Sequence, residues 1–568
     1  TAAEFLKNVI KTSCGTELPI SDKKTAHSIL IGTREPCGCV KHDGFRITTD
    51  ENNVYLDGNI ARGTLYAAFD FAEKYIGYRY FYDDCEVIPT EGESEVPSGL
   101  DIVDNPVFAA RRTTCWQHRR SGELSAHSRL NDCVPVGEAH GGVEPANGDC
   151  HSFARLCPSS EYFAEHPEYY ALHDGKRVPC ESGWGPGQLC LTNPDVLHIV
   201  TENVLKQLRE NPEMKIVEVS QADNQKFCQC ERCAAVDAEE GSQSGTMIRF
   251  VNAVAEAVEK EFPHVLVRTF AYQYTRKAPK ITKARHNVLV RYCTIEACFR
   301  HALNDPDCSS NSAVFRTELE EWGRMAQQIS VWDYITNWSC FAAPFPNLYT
   351  LRKNARFFAE NNALHVLEES NGGYSGGLTP EMKAYLMGKL LWNPYMSDEE
   401  YEGHITDFLS HFYGKGWREI RHVIDVEHET TEHRCIGCFD DVDVGVLHFM
   451  SVPEVEGIKR FIQEYFIPRP YQPTLSDHYL MGFIERLDEI KAGYDRALAL
   501  CETEAERRHL EMSRFSVSYV DLFIKSRKKG SMTAEERKAY EEEVEQFYKD
   551  KERLGCRYNI STDNCQGR

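Results

Sequence analysis

Short apolar runs alternate with amphipathic segments along the middle of the chain, from about residue 106 to about residue 377. Such runs are typical of buried strands, and apolar residues that recur every three or four positions are typical of helices. The predicted strands start at Phe108, Gln188, Ile216, Val265, Val288, Ile329 and Leu364, and the predicted helices include 245–262 and 314–328. This alternation predicts parallel strands with crossover helices, as in a (β/α)8 barrel. A doubly wound sheet is the rival, but no G-x-G-x-x-G motif follows the first strand.

The regions on either side show different patterns. Strand-like runs at 28–33, 44–50 and 53–58, followed by helical spacing over 61–75, predict a small α/β domain over residues 1–104. After the predicted barrel, which we assign to residues 105–385, apolar residues recur at helical spacing. Residues 386–568 are therefore predicted to form a helical domain, in which the charged segment 533–555 is a solvated helix face.

Composition limits the classes of partner. The chain has 87 acidic and 64 basic residues, and the basic run that starts at Lys525 is too short to follow a phosphate backbone. No apolar stretch approaches the roughly 20 residues that cross a bilayer, and no leader sequence is visible at Thr1. Nucleic acids and a membrane span are therefore not expected.

Polar residues at the ends of the predicted strands are the candidates for chemistry, because in a barrel the strand ends line the concave face. They include several carboxylates and two tyrosines: Asp223, Asn224, Tyr272, Glu296, Asp333, Tyr334, Glu368 and Glu369. Three tryptophans, Trp116, Trp332 and Trp338, lie near the same ends. Carboxylates for proton transfer or nucleophilic attack, with aromatic faces for sugar rings, are what a glycoside hydrolase requires.

Neighbouring residues of a strand point to opposite faces, so Glu368 and Glu369 cannot both point into one site. We select Glu368, because it shares a face with Val366. The alternative role of each carboxylate is a salt bridge or a helix cap. Asp223, Asp333 and Glu368 each close an apolar run, which favours the chemical role for these three residues.

Closely spaced cysteines follow the strand that ends near Asp223. Cys228, Cys230 and Cys233 form a C-x-C-x2-C motif that fits zinc with a fourth ligand from elsewhere. Disulfides to Cys150, Cys157, Cys180 or Cys190 and free thiols are the alternatives, and the 22 cysteines of the chain do not decide between them. A separate C-x2-C, Cys435 and Cys438, is compatible with zinc, a disulfide or buried thiols.

Two further patterns are weaker. His140 and His151 are candidates for contacts with substrate hydroxyls, although a lone histidine is more often structural. The sequence GYSGG at 373–377 matches a nucleophile elbow, but Pro380 interrupts the helix that should follow, so we interpret it as a glycine-rich loop.

Six segments resemble, in order and spacing, a family of gut Bacteroidetes proteins that was first grouped as a domain of unknown function and is now placed, at least in part, in glycoside hydrolase family 163. The segments are ARGTLYAAFDFAEKYIGYRYFYDD (61–84), HPEYYALHDGKR (166–177), QLCLTNPDV (188–196), SQADNQKFCQCERC (220–233), VWDYITNW (331–338) and MGKLLWNPYMSDEEY (387–401). The resemblance runs from about Ile29 to about Gly414, and the helical end is less diagnostic.

The resemblance implies an α/β accessory domain, a (β/α)8 catalytic barrel and a helical domain. It also implies endo-β-N-acetylglucosaminidase activity on the chitobiose core of complex N-glycans, with an oligosaccharide or glycoprotein glycan as substrate. No cofactor is then required for catalysis, and any zinc is structural. Relatives of this kind are exported, so we expect a secreted, periplasmic or cell-surface protein whose signal peptide has been removed.

One departure from related hexosaminidase barrels bears on the mechanism. Those barrels carry an adjacent Asp-Glu pair after the fourth strand, where this chain reads Asp223-Asn224. Asparagine cannot donate the proton, so we expect Glu368, and after it Asp333, to be the general acid. Asp223 and Asn224 would then bind the acetamido group or a hydroxyl. The other residues expected to bind substrate are Glu296, Tyr272, Tyr334, Trp116, Trp338 and His151.

Two other functions share these features. A glycan-binding barrel without turnover would keep the same aromatic residues and acids. An α-glucuronidase-like exo-enzyme would need basic residues at the site to pair with a uronate, and Arg111, Arg112 and Arg268 are the candidates. The sequence leaves the oligomeric state, the glycan linkage and the retaining, inverting or substrate-assisted mechanism open.

Overall fold

The structure, a computed structural model, describes residues 1–35, 37–90, 95–133, 135–143, 150–338, 341–370, 377–438, 440 and 479–555. The strands are β1 Ser28–Ile31, β2 Phe45–Thr49, β3 Asn53–Gly58, β4 Arg79–Tyr82, β5 Cys85–Val87, β6 Asp101–Asp104, β7 Ala110–Thr113, β8 Leu172–His173, β9 Lys176–Arg177, β10 Ile216–Glu218, β11 Leu266–Ala271, β12 Val288–Cys293, β13 Ile329–Tyr334 and β14 Ala363–Glu369.

The α-helices begin with α1 Ala2–Cys14, α2 Ala61–Phe71, α3 Trp116–Arg120, α4 Gly122–His127, α5 Phe153–Leu156, α6 Ser159–Tyr162, α7 Pro194–Glu210, α8 Glu231–Glu240 and α9 Gln243–Glu261. They continue with α10 Thr317–Met325, α11 Leu348–Glu360, α12 Pro380–Trp392, α13 Asp398–Phe412, α14 Trp417–Glu429, α15 Met481–Glu485, α16 Leu487–Ala499, α17 Glu504–Arg527 and α18 Ala534–Leu554. Two segments, Ala72–Ile76 and Asn311–Arg316, are π-helical. Short 3-10 helices lie at Glu138–His140, Pro167–Tyr169, Gln273–Thr275, Gly414–Gly416 and Lys529–Ser531.

The first part of the chain forms a four-stranded sheet in the order β1-β3-β2-β6. β1 pairs with β3 in parallel, and β2 pairs antiparallel with both β3 and β6. Helices α1 and α2 supply Leu6, Val9, Leu65 and Phe69 to the core that this sheet shares. The strands and the helix predicted before residue 76 are therefore confirmed, with the end of the helix in the π form.

The central sheet has six parallel strands in the order β10-β11-β12-β13-β14-β7. The first strand in sequence, β7, pairs with the last, β14, so the sheet curls back toward its beginning. This confirms the parallel sheet and six of the predicted strands, but a closed eight-stranded barrel is not shown by the described residues. The strand predicted at Gln188 is wrong, since Leu189 makes only an isolated bridge to Tyr170.

The curled sheet has a polar inner face. His365 on β14 and Arg268 on β11 belong to strands that are not neighbours, yet the charge of Arg268 acts on His365. Both side chains therefore lie toward the inside of the curl, which we call the lumen. Arg268 Nε donates to Glu218 Oε2 at 2.6 Å, and both side chains are buried. Since side chains alternate along a strand, Phe270 and Tyr272 share the face of Arg268.

The outer face of the curled sheet packs against helices. Val267, Val290, Val331 and Val366 are fully buried in the main hydrophobic core, together with apolar residues of α9, α11 and α12. Both faces of these strands are thus covered, as is usual for parallel sheets. The outer face is mainly apolar, whereas the lumen contains the charged residues Glu218 and Arg268 and the imidazole of His365.

A buried ion pair joins the small sheet to the curled sheet. Arg111 on β7 donates to Asp43 through Nη2 at 2.6 Å and Nη1 at 3.1 Å, and Arg62 Nε also donates to Asp43 at 3.1 Å. Burial opposes ionisation of Asp43, but the two guanidinium groups hold its pKa below the usual range. Removing one partner of such a pair costs about 3–5 kcal/mol. Arg111 is therefore a structural residue and does not reach the lumen, contrary to its proposed pairing with a uronate.

After β14 the described residues form helices only, α12 to α18 with short 3-10 turns, as predicted for this end of the chain. The segment 533–555 corresponds to α18, most of whose residues are exposed. Among the described helices, none is both long enough and apolar enough to cross a bilayer.

Candidate functional site

Six side chains gather at the end of the lumen where the strands terminate, and we call this place the mouth. It consists of His151, Asp223, Tyr272, Gln273, Trp332 and Glu369. Trp332 and Glu369 lie at the ends of β13 and β14, and the others lie in loops next to β10 and β11. The carboxyl ends of parallel strands meet at one edge, which explains why residues so distant in sequence converge here.

Glu369 is held by the neighbouring strand. Trp332 Nε1 donates to Glu369 Oε2 at 2.7 Å, and the side chain of Glu369 is partly exposed. The pKa of Glu369 is raised to about 7, mainly by burial and also by the charge of Asp223, while Trp332 and Arg112 act against this shift. Near neutral pH this carboxyl group therefore exists in both protonation states, as a proton donor in catalysis requires.

Asp223 faces Glu369 from the other side of the lumen, since β10 and β14 are four strands apart in the sheet. Gln273 Nε2 donates to Asp223 Oδ1 at 2.9 Å, and the side chain of Tyr272 also hydrogen-bonds to this carboxyl group. Burial raises the pKa of Asp223, while His151 and the two hydrogen bonds act against that shift. The hydrogen bonds from Gln273 and Tyr272 thus fix the orientation of the Asp223 carboxylate.

Aromatic rings surround this carboxyl pair. The ring of His151 lies 5.1 Å from that of Phe270 and 5.9 Å from that of Trp184, measured between centroids. Trp184 is 52% exposed and follows Gly183, whose carbonyl oxygen accepts a hydrogen bond of 2.6 Å from the Asp223 backbone. An exposed indole next to a buried carboxylate offers a flat surface for a sugar ring. Trp184 is not among the residues predicted from the sequence, because it lies in a loop and follows no strand.

The structure places Glu368 and Asp333 on the outer face of the sheet, away from the mouth. The two residues are in register on adjacent strands, and both are 2% exposed. Asp333 hydrogen-bonds to Thr294 and to Asn354 of the covering helix α11. Glu368 shares its face with Val366, as predicted, but that face packs against the helices.

The Asp333 and Glu368 carboxyl groups affect each other. Burial raises both pKa values, and the charge of Asp333 raises that of Glu368 further. Oε2 of Glu368 is buried without a hydrogen-bond partner among the described residues. This pair is buried on the outer face, so the geometry favours Glu369 over Glu368 and Asp333 as the proton donor at the mouth.

Two other predicted residues, Glu296 and Tyr334, interact with side chains of this protein. Glu296 forms an ion pair with Arg276, whose Nε donates to Glu318 at 2.7 Å. Tyr334 is buried, packs edge-on against Phe299 at 6.4 Å and lies on the inner face with Trp332. Glu296 therefore lies beside the mouth as part of a salt-bridge network, which was its alternative role.

Asn224 shapes the loop that carries Asp223. Its Nδ2 donates to Gly187 O at 3.3 Å and its Oδ1 accepts from Lys226 N at 3.0 Å. Gln188 braces the same loop, with Nε2 donating to Ala222 O at 2.7 Å. Each end of the Asn224 amide makes a hydrogen bond and the side chain is buried, so this residue orients the loop.

The remaining aromatic and histidine candidates lie in different places. Trp116 starts α3 and is partly exposed, with the guanidinium of Arg120 over its ring at 5.0 Å. Trp338 is partly buried against Phe341 in the loop after β13. His140 interacts with Glu123 at 3.1 Å and takes no part in the mouth. The GYSGG motif lies outside the described residues except for its last glycine.

Among the predicted basic residues, Arg112 is the one beside the mouth. Its charge, and that of Arg119, lowers the pKa of Glu369. Arg268 is buried deeper in the lumen and bonded to Glu218. The basic charge near the carboxyl pair thus comes from the end of β7 and from α3.

Four cysteines cluster directly after the Asp223 loop. Cys190, Cys228, Cys230 and Cys233 place their sulfur atoms within 4.8 Å of one another. Cys190 Sγ lies 3.7 Å from Cys230 Sγ and 3.9 Å from Cys233 Sγ. Sulfurs bound to one tetrahedral zinc ion at about 2.3 Å are about 3.8 Å apart, so these four residues fit such an ion. Cys157 and Cys180, two of the alternatives for disulfides, form no disulfide in the described part of the chain, and neither does Cys190.

A cavity of about 460 Å³ lies elsewhere, between α16, α17 and α18. Its charged residues bind one another, as in the pairs Lys525–Glu543 at 2.5 Å and Arg553–Glu511 at 2.6 Å. The mouth of the lumen is therefore the better candidate for chemistry.

Two solved structures share this fold, and both are glycoside hydrolases. One is a family GH115 4-O-methyl-α-glucuronidase with specificity for decorated arabinogalactans, at a TM-score of 0.55 and 10% identity, covering 96% of this chain and 73% of that one. The other is a family GH89 enzyme from Clostridium perfringens in complex with its substrate GlcNAc-α-1,4-galactose, at a TM-score of 0.53 and 10% identity. The match covers 97% of this chain and 65% of that one, so this chain spans less than two thirds of the second enzyme.

Sequence comparisons give the family. No curated protein matches this chain. The model of a family described as "Domain of unknown function (DUF4838)" matches residues 80–425, which is more than half of the chain and includes every residue of the mouth. The protein therefore belongs to the DUF4838 family.

Proposed function

We propose that this protein is a glycoside hydrolase that uses Asp223 and Glu369 at the mouth of the lumen. The observation that carries the proposal is the pair itself. Two carboxyl groups face each other from opposite sides of the lumen, each has a pKa raised by burial, and aromatic rings lie beside them. The shared fold with two glycoside hydrolases supports it.

Glu369 acts as the general acid. Its Oε2 is occupied by Trp332, which leaves Oε1 to carry the proton toward the glycosidic oxygen. With a pKa of about 7, the protonated form is abundant at neutral and mildly acidic pH. A positioned acid of this kind contributes about 10²- to 10⁴-fold to the rate.

The more specific proposal is an endo-β-N-acetylglucosaminidase acting on the chitobiose core of complex N-glycans, and it rests on the resemblance to family 163. Asp223 accepts a hydrogen bond from the acetamido N–H, and Gln273 and Tyr272 hold the carboxylate in place. Glu369 protonates the leaving oxygen, the bond from C1 to that oxygen breaks, and the acetamido carbonyl oxygen bonds to C1. Water then attacks C1, one of its protons returns to Glu369, and the bond from C1 to the acetamido oxygen breaks.

A second candidate is a glycosidase that removes a uronic acid. Arg112 and Arg119 bring positive charge to the Glu369 side of the mouth. A guanidinium group pairs with a carboxylate through two parallel hydrogen bonds, which suits a uronate. This candidate uses the same carboxyl pair and differs in the group that is recognised.

We also propose that a zinc ion joins Cys190, Cys228, Cys230 and Cys233. Four thiolates close the coordination sphere, so the ion has a structural role and no part in the reaction. It fixes the loop in which Asp223 lies five residues before Cys228. Export to the periplasm, the cell surface or the medium remains part of the proposal, because the substrates considered are extracellular polymers.

The test is mass spectrometry of the products formed by the wild type, Glu369→Gln and Glu368→Gln. Two substrates are used, a complex-type N-glycoprotein and a glucuronate-capped arabinogalactan. We expect the wild type and Glu368→Gln to release N-glycans with one GlcNAc at the reducing end, and Glu369→Gln to release almost none. Release of free uronic acid instead would favour the second candidate.

Two outcomes would contradict the proposal. If Glu369→Gln keeps full activity while Glu368→Gln loses it, the acid has been assigned to the wrong face of β14. If the folded wild type binds these glycans and releases nothing, the protein is a glycan-binding barrel. Circular dichroism and the melting temperature of each variant show that it is folded.

A further inference from the structure

We propose that Cys298, His301, Cys308 and Cys435 form a second structural zinc site, separate from the cluster at Cys190. The four donor atoms lie within 4.8 Å of one another. The first three residues lie between β12 and the π-helix Asn311–Arg316, whereas Cys435 follows α14. Nothing in the spacing of the sequence connects them, since Cys308 and Cys435 are 127 residues apart.

The distances between donor atoms fit a tetrahedral ion. Cys308 Sγ and Cys435 Sγ are 3.7 Å apart, and Cys298 Sγ lies 3.3 Å from Nδ1 of His301. For Zn–S near 2.3 Å and Zn–N near 2.0–2.1 Å, ideal separations are about 3.8 Å between two sulfurs and about 3.6 Å between sulfur and nitrogen. A disulfide would require the two sulfurs to be about 2.05 Å apart.

His301 is oriented as a metal ligand. Its Nε2 lies 2.9 Å from the backbone carbonyl of Glu432, so this nitrogen carries the proton and donates it to that oxygen. The other nitrogen, Nδ1, is then unprotonated and faces Cys298. Histidines that bind zinc commonly donate their second ring N–H to a carbonyl in this way.

The buried side-chain amide of Asn311 holds the loop that carries the first three ligands. The backbone N–H of Cys298 donates to Oδ1 of Asn311 at 2.9 Å. Nδ2 of Asn311 donates to the carbonyls of Cys298, His301 and Ala302, at 2.8 to 3.1 Å. Asn311 is fully buried, so all its hydrogen-bonding capacity is used to hold the loop around the donor atoms.

The chemistry of the donors selects zinc. Three thiolates and one imidazole are soft ligands that exclude Mg²⁺ and Ca²⁺ as occupants, and the Cys3His set is common in structural zinc sites. The thiolates also have a positive neighbour, because the charges of Arg300 and Cys298 interact. Four protein ligands leave no open position for a substrate or water, so the site has a structural role.

The site would fasten the loop after β12 to the segment after α14 on one side of the mouth. Phe299 N donates to Ile436 O at 2.8 Å, and Arg300 Nη2 donates to His428 O at 3.0 Å. Glu296 precedes the first ligand by two residues. The two zinc sites then immobilise loops that follow two different strands of the same sheet, β10 and β12.

The experiment measures zinc per chain by plasma mass spectrometry on protein purified without chelators. We expect about two zinc ions in the wild type and about one in Cys435→Ser. Cys435 is exposed, so this change removes a ligand without opening the core. The matched control is Cys438→Ser, three residues away, whose sulfur donates to Ile295 O at 3.1 Å and belongs to neither cluster. It should retain both ions.

Two further variants keep the test decisive. Cys435→His retains a donor and should restore the second ion, which separates loss of a ligand from misfolding. Cys190→Ser should remove the other ion and leave the ion at Cys435. Replacement of zinc by Co²⁺ should give a thiolate charge-transfer band in Cys190→Ser that is absent in the double variant Cys190→Ser/Cys435→Ser.

Three results would overturn the proposal. One is a single zinc ion in the wild type that is lost in Cys190→Ser. Another is an unchanged zinc content in Cys435→Ser. The third is a disulfide between Cys308 and Cys435, found by peptide mapping of the native protein. None of these readouts depends on the presence of glycosidase activity.

Discussion

Glu368 and Glu369 are neighbours on β14 and experience opposite surroundings. Glu369 points into the lumen, is partly exposed and accepts a hydrogen bond from Trp332. Glu368 points toward the helices, is buried and meets Asp333. Burial raises the pKa of both residues, and it raises that of Glu368 well above the ordinary value. A raised pKa therefore does not by itself identify a catalytic acid, because access to the substrate is a separate requirement.

The largest expected effect is on the activity of Glu369→Gln. Removal of the proton donor should lower kcat/KM by about 10²- to 10⁴-fold on a substrate with a poor leaving group. The loss should be smaller on an activated aryl glycoside, whose leaving group needs no proton. Glu368→Gln, measured beside it, should stay within a few-fold of the wild type, and equal losses in both variants would remove the distinction between the two faces.

Asp223→Asn should have the next largest effect. Its side chain keeps the shape of Asp223 but loses the charge, and about a 10²-fold fall in kcat/KM is expected. The comparison is with Asp333→Asn, which changes a carboxyl group on the outer face and should leave kcat/KM close to that of the wild type. A larger loss in Asp333→Asn than in Asp223→Asn would contradict the placement of the site in the lumen.

The dependence of activity on pH should reveal the environment of Glu369. The acid must be protonated, so activity should fall as pH rises through about 7, where the pKa of Glu369 lies. Trp332 donates a hydrogen bond that favours the carboxylate and lowers this pKa. Trp332→Phe should therefore move the alkaline limb of the kcat/KM profile to higher pH, whereas in Glu368→Gln it should stay in place.

The smallest expected effect is that of Glu368→Gln on the melting temperature. The pKa of Glu368 is raised on folding, so its protonated form contributes stability that is complete below the unfolded pKa and is lost as pH rises through the folded pKa. Glutamine does not titrate. The melting temperature of Glu368→Gln relative to wild type should therefore increase between about pH 5 and about pH 8. A difference that does not change with pH would show that Glu368 is not held protonated.

The strands of the central sheet were predictable because they are covered on both faces and so consist of nearly continuous apolar runs. β11 to β14 begin within one residue of the starts of the predicted runs. The run at Gln188 has the same appearance, but it lies in a loop in which Cys190 joins three other cysteines. Apolar content alone cannot distinguish the two cases.

It was harder to predict which side chains of each strand point into the lumen. In a strand buried on both sides, an apolar neighbour such as Val366 does not tell the inner from the outer face. The useful signal was the charged residues inside the strands. Arg268, Arg291 and His365 occupy the lumen, and Glu369 lies four residues after His365, hence on the same face.

The cysteines proposed to bind zinc show a second limit of prediction from the sequence. Cys228, Cys230 and Cys233 were recognisable because they are close in sequence, and Cys190 was named only among several disulfide partners. Cys298, His301 and Cys308 were not selected, since their fourth partner, Cys435, is supplied by a distant segment. Local spacing cannot show which distant residues the fold brings together.

The pairing of β7 with β14 has a consequence for the order in which the protein can be made. The two strands are the first and the last of the curled sheet, so the lumen cannot be enclosed before both have been synthesised. Glu369 is the final residue of the last strand. A nascent chain on the ribosome therefore remains catalytically inert until this region has left the exit tunnel, and a polypeptide that stops before residue 369 should have none of the activity proposed here.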